Sequence, residues 1–148
     1  MSVHIARTHD IDIAGEIDAV FPMFTPAGEE QWVDDWRPEY LSASGRETAE
    51  GMIFRTRHGG EETLWSRIGW DPAQHRVKYV RVTPGVRMGF VEVSCQSSLA
   101  GTTKVSVSYH LTSLSPEGDT LLADLTPDHY RTMINAWRPR VEAALSRG

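Results

Sequence analysis

Disulfide chemistry is closed to this chain, because Cys95 is its one cysteine. A lone thiol forms neither an internal bridge nor a cysteine-based zinc site, and its scarcity fits a reducing compartment. No apolar run approaches the ~20 residues of a membrane-spanning helix. Positive charge is also short: 15 Lys and Arg face 20 Asp and Glu, for a net charge of −5. The basic residues are scattered, so nothing favours nucleic acid or an anionic membrane surface. None of the six histidines (His4, His9, His58, His75, His110, His129) pairs at i, i+4 around a carboxylate as in HExxH, so no metal is expected. Glycine-rich phosphate loops and a GxSxG nucleophile elbow are missing as well, and "HGGEE" reads as a hairpin turn. No cofactor is expected. Asp34 and Asp35 are adjacent, and adjacent side chains diverge on a helix, so they are not a carboxylate dyad. The opening "MSVHIARTHDIDI" alternates and carries charge instead of an apolar signal core. The expectation is a cytoplasmic protein of one domain, residues 1–148.

What is present is a changing periodicity. Val3, Ile5, Arg7, His9, Ile11 and Ile13 share one face of a first strand, and Gly15 breaks it. Glu16 to Phe24 reads as a short helix weakened by Pro22. "TPAGEE" then restarts the chain: Thr25 caps, Pro26 takes the first helical position, and Glu29 and Glu30 suit a positive helix N-terminus. That second helix is expected to end between Val33 and Trp36, before Pro38. Six strands follow, near 40–47, 52–58, 62–70, 76–83, 86–98 and 102–114, joined by the short turns hairpins require. "SPEGDT" reads as a turn. A long amphipathic helix then begins near Leu121 or Thr126, where "TPDH" supplies a cap, a first-position proline and an acidic first turn. Tyr130, Met133, Ile134, Trp137, Val141 and Leu145 form its apolar stripe, and Pro139 predicts a kink.

Strand, two short helices, six strands and a long helix make an α+β fold in which one helix covers one sheet face. A twisted seven-stranded antiparallel sheet curls. A single helix does not fill a curled sheet, so a hollow is expected, with Phe21–Pro38 closing one mouth. At about 24 cal/mol per Å³, an empty hollow of ~300 Å³ costs roughly 7 kcal/mol, comparable to the whole stability of a domain. Such a space is therefore expected to be narrowed, hydrated or occupied.

This order resembles the helix-grip fold of the START-like (SRPBCC) superfamily, which includes the pollen-allergen and polyketide cyclase/dehydrase branches. The likeness rests on "FPMFTPAGEEQWVDDWRPEY", "EETLWSRIGWDPAQHRVKYVRVTPGVRMGFVEV", "TKVSVSYHLTSLSPEGD" and "YRTMINAWRPRVEAAL". Among its branches the chain is most similar to a bacterial one of unassigned function. The resemblance implies a curved seven-stranded sheet wrapped around a long C-terminal helix, with two short helices between the first two strands. It also implies a deep, mostly apolar cavity between sheet and helix. The matching cavity-facing positions are Phe24, Trp32, Trp65, Tyr79, Phe90, Tyr109, Tyr130, Met133 and Trp137, and a one-residue slip in any strand would invert its face.

Three readings stay open. The first is a binder of a small hydrophobic or aromatic molecule, lipid or polyketide-like. The second is a cyclase, dehydratase or hydrolase using the same cavity, with its catalytic residues unassigned. The third is an interaction protein with a residual cavity, pairing through an edge strand or the Trp36 region, as in a homodimer. Arg7, His9 and Arg81 fall on sheet faces that are otherwise apolar. Either one of them orients a ligand's carboxylate, phenol or carbonyl, or the strand phase is off and they reach solvent; the second is the expectation. Glu61, Glu62 and Glu92 carry the same ambiguity. His129 is expected at the surface, and Cys95 as a small buried hydrophobe.

Overall fold

The computed structural model describes residues 2–42 and 50–147. The chain opens with strand β1 (His4–Ala14). Helix α1 (Ile17–Val20), a 3-10 turn (Phe21–Phe24) and helix α2 (Pro26–Glu29) follow. Strands β2 (Glu39–Tyr40), β3 (Ile53–His58), β4 (Glu61–Asp71), β5 (Arg76–Thr83), β6 (Arg87–Ser97) and β7 (Thr102–Ser113) come next. Helices α3 (Pro116–Asp124), α4 (Pro127–Asn135) and α5 (Trp137–Arg147) end the chain. The strands form one antiparallel sheet in the order β1-β7-β6-β5-β4-β3-β2. Chain neighbours from β2 to β7 pair as hairpins, and β1 returns to pair with β7 along its whole length, from His4 opposite Thr112 to Ala14 opposite Thr102.

Helices α2, α3 and α4 begin where Ser or Thr precedes Pro. Thr25 Oγ1 accepts from Gly28 N at 3.0 Å and Thr126 Oγ1 from His129 N at 3.2 Å, as the two Thr-Pro caps predict. Ser115 does the same for Gly118 N at 3.2 Å, so the "SPEGDT" segment opens helix α3 instead of a turn. The signal has the same form in all three places, a hydroxyl residue followed by proline, so the third cap was as legible as the other two. The expected N-terminal helix divides at Pro22 into α1 and the 3-10 turn. Helix α2 is shorter than expected and gives way to turns, where Asp35 has φ 57°. Gly28 lets this segment fold back on itself, because a Cβ there would sit 2.0 Å from Pro22 O.

The C-terminal helix is interrupted at Ala136, between α4 and α5. Pro139 causes this break one turn upstream of itself: it has no N–H for the Asn135 carbonyl, and its ring crowds that carbonyl. Of the expected strand at 40–47, Glu39–Tyr40 is described, and 43–49 lies outside the described residues. Among the described residues no helix is long and apolar enough to cross a membrane.

The core lies between the concave face of the sheet and the helices. At the β1–β7 side it is dense: Ile13, Val105, Val107, Ile134 and Val141 are all fully buried. Tyr130 is anchored there by donating its hydroxyl to Val107 O at 2.7 Å. Arg7 Nε donates to Leu125 O at 3.0 Å, and the His9 ring is 2.8 Å from Asn135 Oδ1. Both residues are half-buried, with part of each side chain still reaching solvent. They tie β1 to the helical segment.

Candidate functional site

On the other side, toward β3, β4 and β5, the interior opens into a cavity of about 240 Å³. Its walls are Phe24, Trp32, Trp36, Phe54, Trp65, Tyr79, Tyr109 and Trp137, with Val33, Val91, Val93, Glu29, Arg81 and Arg140 completing the lining. The rings brace each other. Trp65 stacks on Phe54 at 5.7 Å and meets Tyr79 edge-on at 6.3 Å, while Trp137 packs against Trp32 at 5.2 Å. Rigid rings cannot collapse inward as aliphatic chains do, so the space between them persists.

The Phe21–Pro38 segment supplies one end of this cavity. Phe24, Glu29, Trp32, Val33 and Trp36 line it, whereas Phe21 turns away and stacks on Trp70 at 5.5 Å. Trp32 Nε1 donates to Met23 O at 2.8 Å and Trp36 Nε1 to Pro26 O at 2.9 Å. Both indoles are thereby fixed, with their polar edges satisfied by their own segment. Trp32 is 6% exposed, so it is part of the core and not a loose lid.

Five ionisable groups line this space, and four of them are displaced from their ordinary titration. Burial pushes the Glu29 carboxyl up to about 8. Burial also raises the Tyr109 phenol to about 12 and the Tyr79 phenol further, and the Glu29 charge reinforces both shifts. Desolvation lowers the Arg81 guanidinium from its usual value. In each case loss of water is the leading cause. Tyr79 donates to Phe24 O at 2.9 Å. Arg81 lies over the Trp65 ring at 4.9 Å, and its Nε is buried without a hydrogen-bond partner. Below the cavity floor Arg67 is fully buried, over Trp70 at 4.1 Å, with Nε and Nη1 also unpartnered.

A larger groove of about 510 Å³ lies on the outer face of the sheet, lined by His4, Met88, Phe90 and His110 among others. It is open to solvent, and no unpartnered buried polar atom lines it. The smaller interior space has the enclosure and convergent polar groups of a ligand site. Among the described residues no group of three His, Cys, Asp or Glu is placed to hold a metal.

No protein-family model matches the chain, and no curated protein does. Solved structures do. An uncharacterised protein from Rhizobium leguminosarum is 14% identical over 100% of this chain and 98% of its own, with a TM-score of 0.69. Norcoclaurine synthase from Thalictrum flavum is 14% identical over 99% of this chain and 86% of its own, at 0.65. It is similarly matched in a complex with dopamine and hydroxybenzaldehyde, over 93% of this chain and 86% of its own, at 0.65. Ara h 8.0201 is 13% identical over 99% of this chain and 100% of its own, at 0.71. The chain shares the fold of these proteins, a helix-grip fold.

Within the helix-grip frame, the structure gathers Phe24, Trp32, Trp65, Tyr79, Tyr109 and Trp137 of the sequence-derived set around one space. Tyr130 and Met133 pack into the neighbouring core instead of the cavity wall. Phe90 is on the outer face, 38% exposed, with Lys78 Nζ 5.0 Å from its ring centre. The β6 alternation carried that information: Val91, Val93 and Cys95 point inward, while Phe90 shares its parity with Glu92. Arg81 corrects the expectation of solvent exposure. It is two residues beyond Tyr79 on β5, and same-parity residues share a face. Glu29 was legible as a helix N-terminal acid but not as a cavity group, because a four-residue helix has no apolar stripe to show which way it faces. Glu61 and Glu62 are held by Arg87 at 2.7 Å and Arg57 at 3.3 Å, and Glu92 is exposed. His129 is exposed, with Nδ1 2.8 Å from Asp124 O at the end of α3. Cys95 is buried and its thiol pushed up to about 12, which suppresses thiolate chemistry.

Proposed function

We propose that this helix-grip chain binds a small, planar aromatic molecule in its interior cavity. The observation that carries the reading is the cavity itself: about 240 Å³, ringed by braced aromatic side chains, with few polar groups. That size suits one or two fused rings better than a lipid chain. Flat rings offer offset-stacked and edge-to-face surfaces to a flat guest. The similar Thalictrum flavum synthase holds dopamine and hydroxybenzaldehyde, and its likeness supports the reading through the fold alone.

The test is a calorimetric titration with 1-naphthylmethanol, a neutral two-ring probe, on the intact chain and on Val91→Phe. Val91 is buried on the cavity wall, and the larger ring grows into existing space. One-to-one binding that Val91→Phe removes, with unfolding still cooperative, supports the reading. Absence of binding, or binding indifferent to Val91→Phe, overturns it.

Catalysis in the same cavity is a second reading, favoured by one observation. Glu29 is a carboxyl whose burial pushes it up to about 8, facing two phenols in a mostly apolar site. A group with that poise gives and takes protons efficiently at pH 7–8. Turnover on this reading requires Glu29, and Glu29→Gln would bind ligand but not process it.

A further inference from the structure

Resting on the reading of the cavity as a binding site, we propose that its ligand is an anion, an aromatic ring bearing a carboxylate, and that Arg81 is the counter-ion. Arg81 lacks what its basic neighbours have. Three basic side chains around the cavity have acidic partners: Arg87 pairs with Glu61 at 2.7 Å, Arg55 with Glu39, and Arg140 with Asp34 at 3.6 Å, whereas Arg67, outside the lining, has the Tyr79 hydroxyl at 3.4 Å and the Trp70 face. Arg81 pairs with no carboxylate among the described residues, and its Nε is buried without any partner. Glu61, the acid whose charge reaches it, is already engaged by Arg87.

A guanidinium held out of water without an anion is costly, and structures keep such a group only where something offsets it. The Trp65 face at 4.9 Å offsets part of the cost. The remaining N–H groups form a planar fork, the geometry that matches a carboxylate bidentately. A ligand with an aryl ring against Trp65 and a carboxylate on the fork would satisfy both surfaces at once.

Glu29 decides whether an anion is tolerated. It is the one carboxyl in the lining, and no ion pair joins it to Arg81. Burial keeps its proton on up to about pH 8, so at neutral pH it is an uncharged donor. The groups facing it are Arg81 and Tyr79 from β5, Tyr109 from β7 and Arg140 from α5. Neither phenol ionises below pH 10, since burial raises both. The cavity is thus positive at pH 7 and loses that bias as Glu29 ionises. Anion affinity is highest below pH 8 and falls above it.

The test compares two near-isosteres by calorimetry: 1-naphthoate and neutral 1-naphthylmethanol, on the intact chain, Arg81→Met and Arg81→Lys. The intact chain is expected to prefer naphthoate by at least ~10-fold at pH 6.5, and the preference should shrink by pH 9. Arg81→Met should abolish the preference while still binding the alcohol, which shows that the cavity remains folded. Arg81→Lys, which keeps charge but not the fork, should retain part of it. Equal affinities for both probes in the intact chain, or a preference that survives Arg81→Met, would overturn the anion assignment alone. Binding of neither probe would overturn it together with the cavity reading.

Discussion

The two halves of the interior are built from different side chains, and the difference decides where a ligand fits. Beside β1 and β7 the filler is mostly aliphatic: Ile13, Val105, Val107, Ile134 and Val141 interdigitate to full burial. Beside β3, β4 and β5 the filler is aromatic, and the rings stand against each other edge to face, leaving about 240 Å³ between them. Branched aliphatic chains close space because each has many ways to nestle. A ring is flat and stiff, so a cage of rings keeps its shape when empty. The polar atoms divide in the same way. In the aliphatic half Tyr130 spends its hydroxyl on Val107 O. In the aromatic half, among the described residues, Arg81 Nε has no partner and Glu29 makes no ion pair. One half is finished by the chain itself; the other leaves space and polar groups that the proposed guest would complete.

The contrast can be broken by substitution. Ile134→Ala, in the filled half, should have the largest effect, a loss of ~3–4 kcal/mol in urea unfolding, with 1-naphthylmethanol affinity nearly unchanged. A loss below 1 kcal/mol would mean that half is not tightly filled. Glu29→Gln comes next, and its sign depends on pH. The folded-state carboxyl is pushed up to about 8 from its ordinary 4.5, so the folded state holds the proton longer than the unfolded chain does. The wild type therefore has its full stability below pH 4.5 and loses this contribution between pH 4.5 and about 8. Glu29→Gln should be more stable than wild type by ~1–3 kcal/mol at pH 9 and similar to it at pH 4.5. Parallel pH–stability curves for the two proteins would show that Glu29 is not buried as described.

Trp65→Ala should cost about 1–2 kcal/mol, because it enlarges an existing hollow in place of cutting a new one, and should weaken naphthoate by ~10-fold. Unchanged naphthoate affinity would remove Trp65 from the ligand surface. The smallest effect is expected for Phe90→Ser on the outer face, within ~0.5 kcal/mol and with both probes bound as before.

The sequence announced the elements more clearly than which part of the interior each side chain fills. The stripe through Tyr130, Met133 and Trp137 was legible as the inward face of the last helix and was expected to line the hollow, yet only Trp137 does so, while Tyr130 and Met133 pack in the core. The Thr-Pro caps located α2 and α4, and Pro139 announced the break that falls at Ala136. The aromatic residues of Phe21–Pro38 signalled a wall, yet spacing could not separate Phe21, which stacks on Trp70, from Phe24, which faces the cavity. Arg81 was misjudged because an isolated charge in a strand is commonly a solvent-facing one. Its shared parity with Tyr79 was the stronger signal. Glu29 was out of reach, since its burial depends on how turns after α2 fold back over the sheet.

The account turns on whether a guest enters the aromatic half, and the five indole N–H resonances report that directly. Trp32, Trp36, Trp65 and Trp137 line the cavity, while Trp70 lies outside it, stacked on Phe21 and Arg67. In a ¹H–¹⁵N spectrum recorded at pH 6.5 with saturating 1-naphthoate, the four lining indoles should shift and Trp70 should stay in place. Five unmoved resonances, or a shift confined to Trp70, would contradict the account.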